Sequence, residues 1–131
     1  MKVVCPYCKR AARLVTGDAL YRNRPDLAGL FFWLCAPCDA YVGTHNNSPD
    51  HKPLGRLANA ELRDARKETH AFFDQLWRNG KMTRSAAYLW LAEQLNLPAK
   101  KCHIGDFDLP LCRKTIRLCK KAQQVSAEAT Q

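Results

Sequence analysis

The chain has 131 residues, of which 21 are Lys or Arg and 12 are Asp or Glu, so its formal net charge is +9 with the histidines neutral. This length allows one compact domain, or a small metal-stapled module joined to a helical one, and it excludes a large catalytic architecture such as a barrel. The composition, 47% hydrophobic and 25% charged, excludes wholesale disorder.

Nothing in the sequence indicates export or membrane insertion. The first residues show no apolar stretch followed by a small-residue cleavage site, and the longest uncharged run, 27–38, is too short to span a bilayer. We therefore expect a cytoplasmic protein. In that reducing compartment, paired cysteines indicate metal or redox chemistry before disulfides.

Four of the seven cysteines form two C-x-x-C pairs, 5–8 and 35–38. Each pair turns tightly enough to aim both sulfurs at one point, so two pairs can supply a tetrahedral set of thiolates. The spacing predicts one structural Zn²⁺ held by Cys5, Cys8, Cys35 and Cys38. Iron in a rubredoxin-like site is the alternative. A thioredoxin-like redox role is disfavoured, because no βαβ unit surrounds either pair.

The segments around these pairs are rich in β-branched and aromatic residues and are separated by turn-forming residues. The predicted strands are 12–15, 19–22, 30–34 and 40–42. Together they predict an antiparallel four-cysteine zinc ribbon over residues 1–45. A sheet of this size needs the binding energy of the metal to fold.

From Asn59 onward the apolar residues recur at three- and four-residue steps, which is the period of a helix. The sequence predicts three helices, with N-caps at Asn59, Thr83 and Asp108 and with the first two ending at Gly80 and about Leu95. Trp77, Trp90 and Phe107 are predicted to be core residues rather than stacking platforms for bases. Cys102, Cys112 and Cys119 are predicted to be small buried apolar residues.

These patterns predict an α+β fold, in which the small zinc ribbon is packed with a C-terminal three-helix segment. The predicted boundaries are a ribbon at 1–45, a polar connecting loop at 46–55, a helical domain at 56–122 and a disordered tail at 123–131.

The basic residues are concentrated in the second half, where residues 53–131 carry a net +6 against +3 for residues 1–52. On a helix, Arg113, Arg117, Lys120 and Lys121 fall on one face, turned away from the cysteines. Such a face suits phosphates, an acidic protein surface or simple solvation at a helix end. The candidate nucleic-acid contacts are Lys9, Arg10, Arg22, Arg24, Arg113, Lys114, Arg117, Lys120 and Lys121. Lys9 and Arg10 are also placed to offset the negative charge of a thiolate cluster.

Two groups of residues raise the question of catalysis. His45 and His51 in the polar loop invite comparison with His-Asn-His nucleases, but no histidine lies between the two C-x-x-C pairs, where such enzymes carry the first one. His103, Asp106 and Asp108 could in principle perform acid–base chemistry, but helix capping explains Asp108 and turn formation explains Gly105 and Asp106. No catalytic residue is predicted.

Four segments resemble a known family. They are CPYC at 5–8, WLCAPCDAYVG at 33–43, KPLGRLANAELR at 52–63 and CHIGDFD at 102–108. They look like the small zinc-finger-containing proteins of phage and prophage genomes, over nearly the whole chain to about residue 118. The resemblance implies that the four paired cysteines bind the metal and that the ribbon and the helices occur together as one unit.

The sequence favours a zinc-stabilised, non-enzymatic nucleic-acid-binding protein of phage or prophage type. The alternative is a protein-interaction module that docks on a host complex, such as polymerase or defence machinery, through loop 44–53 and the exposed face of the first helix. A metal-dependent nuclease that uses His45 and His51 is the weaker alternative.

Overall fold

The computed structural model describes residues 2–129, with side chains described as far as Gln123. The chain divides into two compact units, Met1–Glu61 and Leu62–Gln131. The first is built on a small antiparallel sheet and the second on helices, which confirms the predicted α+β class.

The first unit contains three strands in the order β1-β2-β3, with β1 at Arg13–Thr16, β2 at Phe31–Cys35 and β3 at Ala40–Gly43. Trp33 in the central strand pairs with Leu14 on one side and with Val42 on the other. Alternation along β2 buries Trp33 and Cys35 on the same face. The core of this unit consists of Cys5, Ala12, Trp33, Cys35, Ala40 and Leu57.

The strand predicted at 19–22 is wrong, and the ribbon has three strands rather than four. Residues Gly17–Ala19 form a 3₁₀ turn, in which the carbonyl of Gly17 accepts hydrogen bonds from the amides of Leu20 and Tyr21. The Tyr21 hydroxyl lies 2.9 Å from the Tyr41 hydroxyl. The aromatic and apolar residues of segment 19–22 therefore belong to a turn and not to a strand. The types of residue in a segment do not by themselves distinguish such a turn from an edge strand.

The polar loop after β3 folds back beside the sheet. Isolated bridges pair Thr44 with Pro53 and Tyr41 with Ala58. The Trp33 indole nitrogen donates a 2.7 Å hydrogen bond to the carbonyl of His51. Residues 46–58 therefore belong to the same compact unit as the strands.

The second unit is built on the three predicted helices, α1 at Ala60–Arg78, α2 at Arg84–Leu95 and α3 at Leu109–Ala129, and it includes α1 from Leu62 onward. Two predicted caps are confirmed: Thr83 Oγ1 accepts from the Ala86 amide and Asp108 Oδ1 from the Leu111 amide, each at 3.0 Å. The backbone of α3 continues through Ala129, across the segment predicted as a tail. Residues 130 and 131 of that segment lie outside the described residues.

The core of the helical unit includes Phe73 on α1, Leu91 on α2 and Phe107 before α3. Cys102, Cys112 and Cys119 are at most 1% exposed, which confirms them as buried residues, and burial raises the pKa of the Cys119 thiol to about 11. Phe107 is buried as predicted, whereas Trp77 and Trp90 are only half-buried. Across residues 2–129, no helix has both the length and the apolar character that crossing a bilayer requires.

Gly17 lies at a position with no room for a side chain. A Cβ built on it would stand 1.9 Å from the carbonyl oxygen of Leu27, whereas a Cβ on Gly29 would meet nothing within 4 Å. Because the obstacle is backbone, Gly17→Ala forces the 3₁₀ turn or the following turn to move. We expect it to lower the free energy of unfolding of the metal-loaded protein by about 1–3 kcal/mol. Chemical denaturation measures this effect.

Gly29→Ala is the matched control and should change the unfolding free energy by less than about 0.5 kcal/mol. Equal effects of the two substitutions would show that Gly17 is not held against the Leu27 carbonyl.

Candidate metal centre

The four paired cysteines converge in the first unit. Their Sγ atoms all lie within 4.8 Å of one another, and the Sγ atoms of Cys8 and Cys35 are 3.6 Å apart. A tetrahedron of sulfurs about 2.3 Å from a zinc ion has edges of about 3.8 Å. The predicted ligand set is therefore brought together, with a geometry that fits one metal ion.

The first pair lies on a tight N-terminal turn. The amide of Cys5 donates to the carbonyl of Arg10 at 2.8 Å, and the amide of Lys9 donates back to the carbonyl of Cys5 at 2.9 Å. These bonds close the loop that carries Cys5 and Cys8, so both sulfurs point to the same side.

The second pair forms the connection between two strands. Cys35 is the last residue of β2, and Cys38 lies two residues before Ala40, where β3 begins. The Asp39 amide donates to the carbonyl of Ala36 at 3.1 Å and closes this turn. The metal site thus joins the N-terminal turn to the β2–β3 hairpin.

The two turns share a backbone feature that the sequence analysis missed. The residue after the second cysteine of each pair adopts a left-handed conformation, with φ 67° at Lys9 and φ 49° at Asp39. Glycine and asparagine are the usual signals for this conformation, and Lys9 carries no such signal. The sequence did contain one clue to this conformation, because both residues directly follow a C-x-x-C pair.

The electrostatics of the cluster call for a cation. A hydrogen bond from the backbone of Arg10 lowers the pKa of Cys8 to about 7, while burial and then the neighbouring thiols raise the pKa of Cys38 to about 12. Four thiolates at these distances repel one another strongly. A divalent ion held by the four sulfurs would offset that repulsion and would displace the remaining thiol protons.

The site is closed rather than open. Cys5 and Cys35 are buried, Cys8 and Cys38 are half-buried, and the cluster packs against the core that contains Trp33. Four protein sulfurs complete the tetrahedral coordination of zinc, which is the arrangement of structural sites. The cluster is thus consistent with one structural zinc.

The histidines form no second centre of this kind. Within residues 2–129, the four cysteines are the one group of three or more His, Cys, Asp or Glu side chains close enough to share an ion. The ring of His51 packs on Phe31, with 4.2 Å between ring centroids. Asp108 caps α3, and Gly105 and Asp106 lie in a 3₁₀ turn, as the sequence predicted. His103 directly precedes that turn.

The basic candidates are separated between the two units. All five on α3 are exposed: Arg113, Lys114, Arg117, Lys120 and Lys121. In the first unit Lys9, Arg10 and Arg22 are also exposed. Arg24 is also exposed but forms an ion pair with Asp26, in which the guanidinium lies 2.8 Å from the carboxylate. The hydrogen bond to Asp26 raises the pKa of Arg24.

Comparison with known proteins gives one relationship. Searches of curated proteins and of solved structures returned no significant match to the chain. The family model of DUF3268, a zinc-finger-containing domain, matches residues 1–122. That match spans the four-cysteine cluster, α1, α2 and α3 as far as residue 122, and the chain belongs to this zinc-finger-containing family.

Proposed function

We propose that this protein is a non-enzymatic nucleic-acid-binding protein of phage or prophage type, whose first unit is held by one Zn²⁺ and whose helix α3 contacts phosphates. The observation that carries the proposal is the cationic face of α3, defined by Arg113, Lys114, Arg117, Lys120 and Lys121. The resemblance to small phage and prophage proteins supports the origin.

The cationic face lies opposite the buried side of the same helix. Cys112, Thr115 and Cys119 form the buried stripe, each 0% exposed. At about 100° per residue, the five basic positions cover an arc of about 120° on the far side of the helix from that stripe. The burial of the stripe therefore holds the basic side chains out in solvent.

No acidic residue interrupts this face. Between Leu109 and Gln123 the sequence of α3 contains no Asp or Glu, so no carboxylate of the same segment competes with a phosphate. The Lys120 ammonium lies 5.0 Å from the centre of the Phe72 ring, a contact that limits its freedom without neutralising it. A row of exposed cations on one face of a helix is the usual footprint of phosphate binding.

The basic residues of the first unit support the proposal less strongly. Arg24 is engaged by Asp26, and Lys9 and Arg10 lie on the turn that carries two of the thiolate ligands. Arg22 is exposed. We therefore assign the main phosphate contacts to α3 and subsidiary ones to the first unit.

The metal part of the proposal predicts the zinc content of cysteine variants. Purified protein should carry one zinc per chain, and Cys38→Ser should lose it because three thiolates bind the ion far more weakly than four. Cys119→Ala should keep one zinc per chain, since Cys119 is a core residue of the other unit. Elemental analysis after dialysis measures both.

Loss of zinc from Cys119→Ala, or full retention by Cys38→Ser, would contradict this ligand assignment. Iron in place of zinc in the purified protein would contradict the choice of metal.

The nucleic-acid part predicts which charges matter. Replacing Arg113, Arg117, Lys120 and Lys121 together by Gln should weaken binding to a labelled duplex by at least tenfold at about 50 mM salt. The slope of log K against log salt should become shallower by about three to four, because about four phosphate contacts are lost. Fluorescence anisotropy at several salt concentrations measures both quantities.

The matched control replaces four exposed lysines outside the cationic face, Lys67, Lys81, Lys100 and Lys101, by Gln. It removes the same formal charge and should retain most of the affinity. Equal losses in the two variants would show that net charge, and not the α3 face, drives binding. Unaltered binding by the α3 variant would instead favour the docking-module alternative.

A further inference from the structure

We propose that the first unit contains a groove that binds an unpaired base of a single-stranded nucleic acid, at the end of the sheet opposite the four-cysteine cluster. The base groove is defined by Phe31, Thr44, His45, Asn46, His51 and Leu54. The inference rests on the nucleic-acid-binding function proposed above, and it assigns a separate site to the base in addition to the phosphate contacts.

The position of the groove follows from the strand directions. Strand β2 runs from Phe31 to Cys35, so its last residue lies at the metal and its first residue lies at the far end. There the start of β2, the end of β3 and the hairpin formed by residues 44–53 border an open groove of about 1010 Å³. This volume is at the upper end of the range for ligand pockets and exceeds that of one base.

The floor and sides of the groove expose apolar surface. Leu30 is 44% exposed, Phe31 38% and Leu54 55%. The ring of Phe31 already packs on the imidazole of His51, with 4.2 Å between centroids and 34° between planes. The exposed part of Phe31 can extend this stack by one further ring, and a base stacks on such a surface irrespective of its sequence.

Hydrogen bonds restrain the backbone at both ring-bearing residues before any ligand binds. The indole of Trp33 donates to the carbonyl of His51 at 2.7 Å, and the hydroxyl of Thr44 donates to the carbonyl of Phe31 at 3.0 Å. His51 adopts φ 54°, a left-handed conformation that is uncommon outside glycine and that these contacts maintain. A preorganised platform reduces the entropy lost on binding.

The rim of the groove offers unused polar groups. The backbone of the hairpin is closed by hydrogen bonds from His45 to Lys52 and from His51 to Ser48. Within residues 2–123, the side chains of His45, Asn46 and Asn47 make no hydrogen bond to another residue. Amide and imidazole groups provide both donors and acceptors, which is what the edges of unpaired bases require.

The charge of the groove distinguishes a base from other occupants. Among the residues that the structure describes, no Asp, Glu, Lys or Arg lines the groove, although the chain carries a formal net charge of +9. Asp50 and Lys52 on the same hairpin offset each other formally. A neutral aromatic groove in a strongly basic protein fits the uncharged base of a polyanion, whose phosphates are held by cations elsewhere.

Chemical-shift mapping tests the inference in the full-length, zinc-loaded protein. A short oligothymidylate is titrated and the backbone amide signals are followed. We expect shifts at the start of β2, at Gly43 and along hairpin 44–53, together with shifts along α3.

Variants at Phe31 give the second measurement. Phe31→Leu keeps an apolar side chain but removes the aromatic plane, and it should weaken oligothymidylate binding about fivefold or more without changing duplex binding. Phe31→Tyr should retain wild-type affinity. Leu14→Ala is the control for an exposed apolar position on the same sheet that does not line the groove.

The outcomes separate this inference from the proposed function. Shifts confined to α3, with full affinity in Phe31→Leu, would overturn the base groove and leave the α3 proposal standing. Shifts confined to the groove would support it and overturn the role of α3. No shift in either region would overturn both.

Discussion

The first unit depends on one point of convergence, where four sulfur atoms meet within 4.8 Å. They connect the N-terminal turn to the β2–β3 hairpin, two segments separated by 26 residues of chain. The apolar core around them is small, and Trp33 and Leu57 are its only buried large side chains among the described residues. Binding of a structural zinc contributes about 10–16 kcal/mol in small zinc-finger peptides. We therefore expect the sheet of this unit to need the bound metal.

Trp33 links the metal centre to the far end of the sheet. Its ring packs in the core with Cys5 and Cys35. Its indole nitrogen donates a hydrogen bond to the carbonyl of His51, which lies in hairpin 44–53. The hairpin in turn places the His51 ring on Phe31. The proposed base groove is thus built on a side chain that the metal helps to bury. A structural zinc can in this way determine a binding surface without contacting any ligand.

Much of this architecture was predictable because it depends on local chemistry. C-x-x-C spacing specifies the ligands, and Thr83 and Asp108 mark helix starts because their oxygens satisfy free amides. The three other cysteines were correctly predicted as core residues. The strand assigned to 19–22 failed because the contact between Tyr21 and Tyr41 and the packing at Gly17 are tertiary. The groove was not foreseen for the same reason, since it is formed by three segments that only the folded chain brings together.

The two units are proposed to contact different chemical parts of a nucleic acid. Helix α3 presents charge, and the groove of the first unit presents aromatic and amide groups without charge. Phosphate contacts confer affinity that falls with salt, whereas stacking confers a preference for unpaired strands. In both units, buried residues orient the exposed surface. On α3 the buried residues are Cys112, Thr115 and Cys119, and in the sheet the buried residue is Trp33.

The dependence of the sheet on the metal is tested most directly by removing it. Backbone amide signals of β1, β2, β3 and hairpin 44–53 are recorded with zinc, after complete chelation and after zinc is returned. We expect the dispersed strand signals and the His51 signal to be lost on chelation and restored by zinc. Strand and hairpin signals that remain unchanged in fully metal-free protein would contradict the role assigned to the four-cysteine cluster.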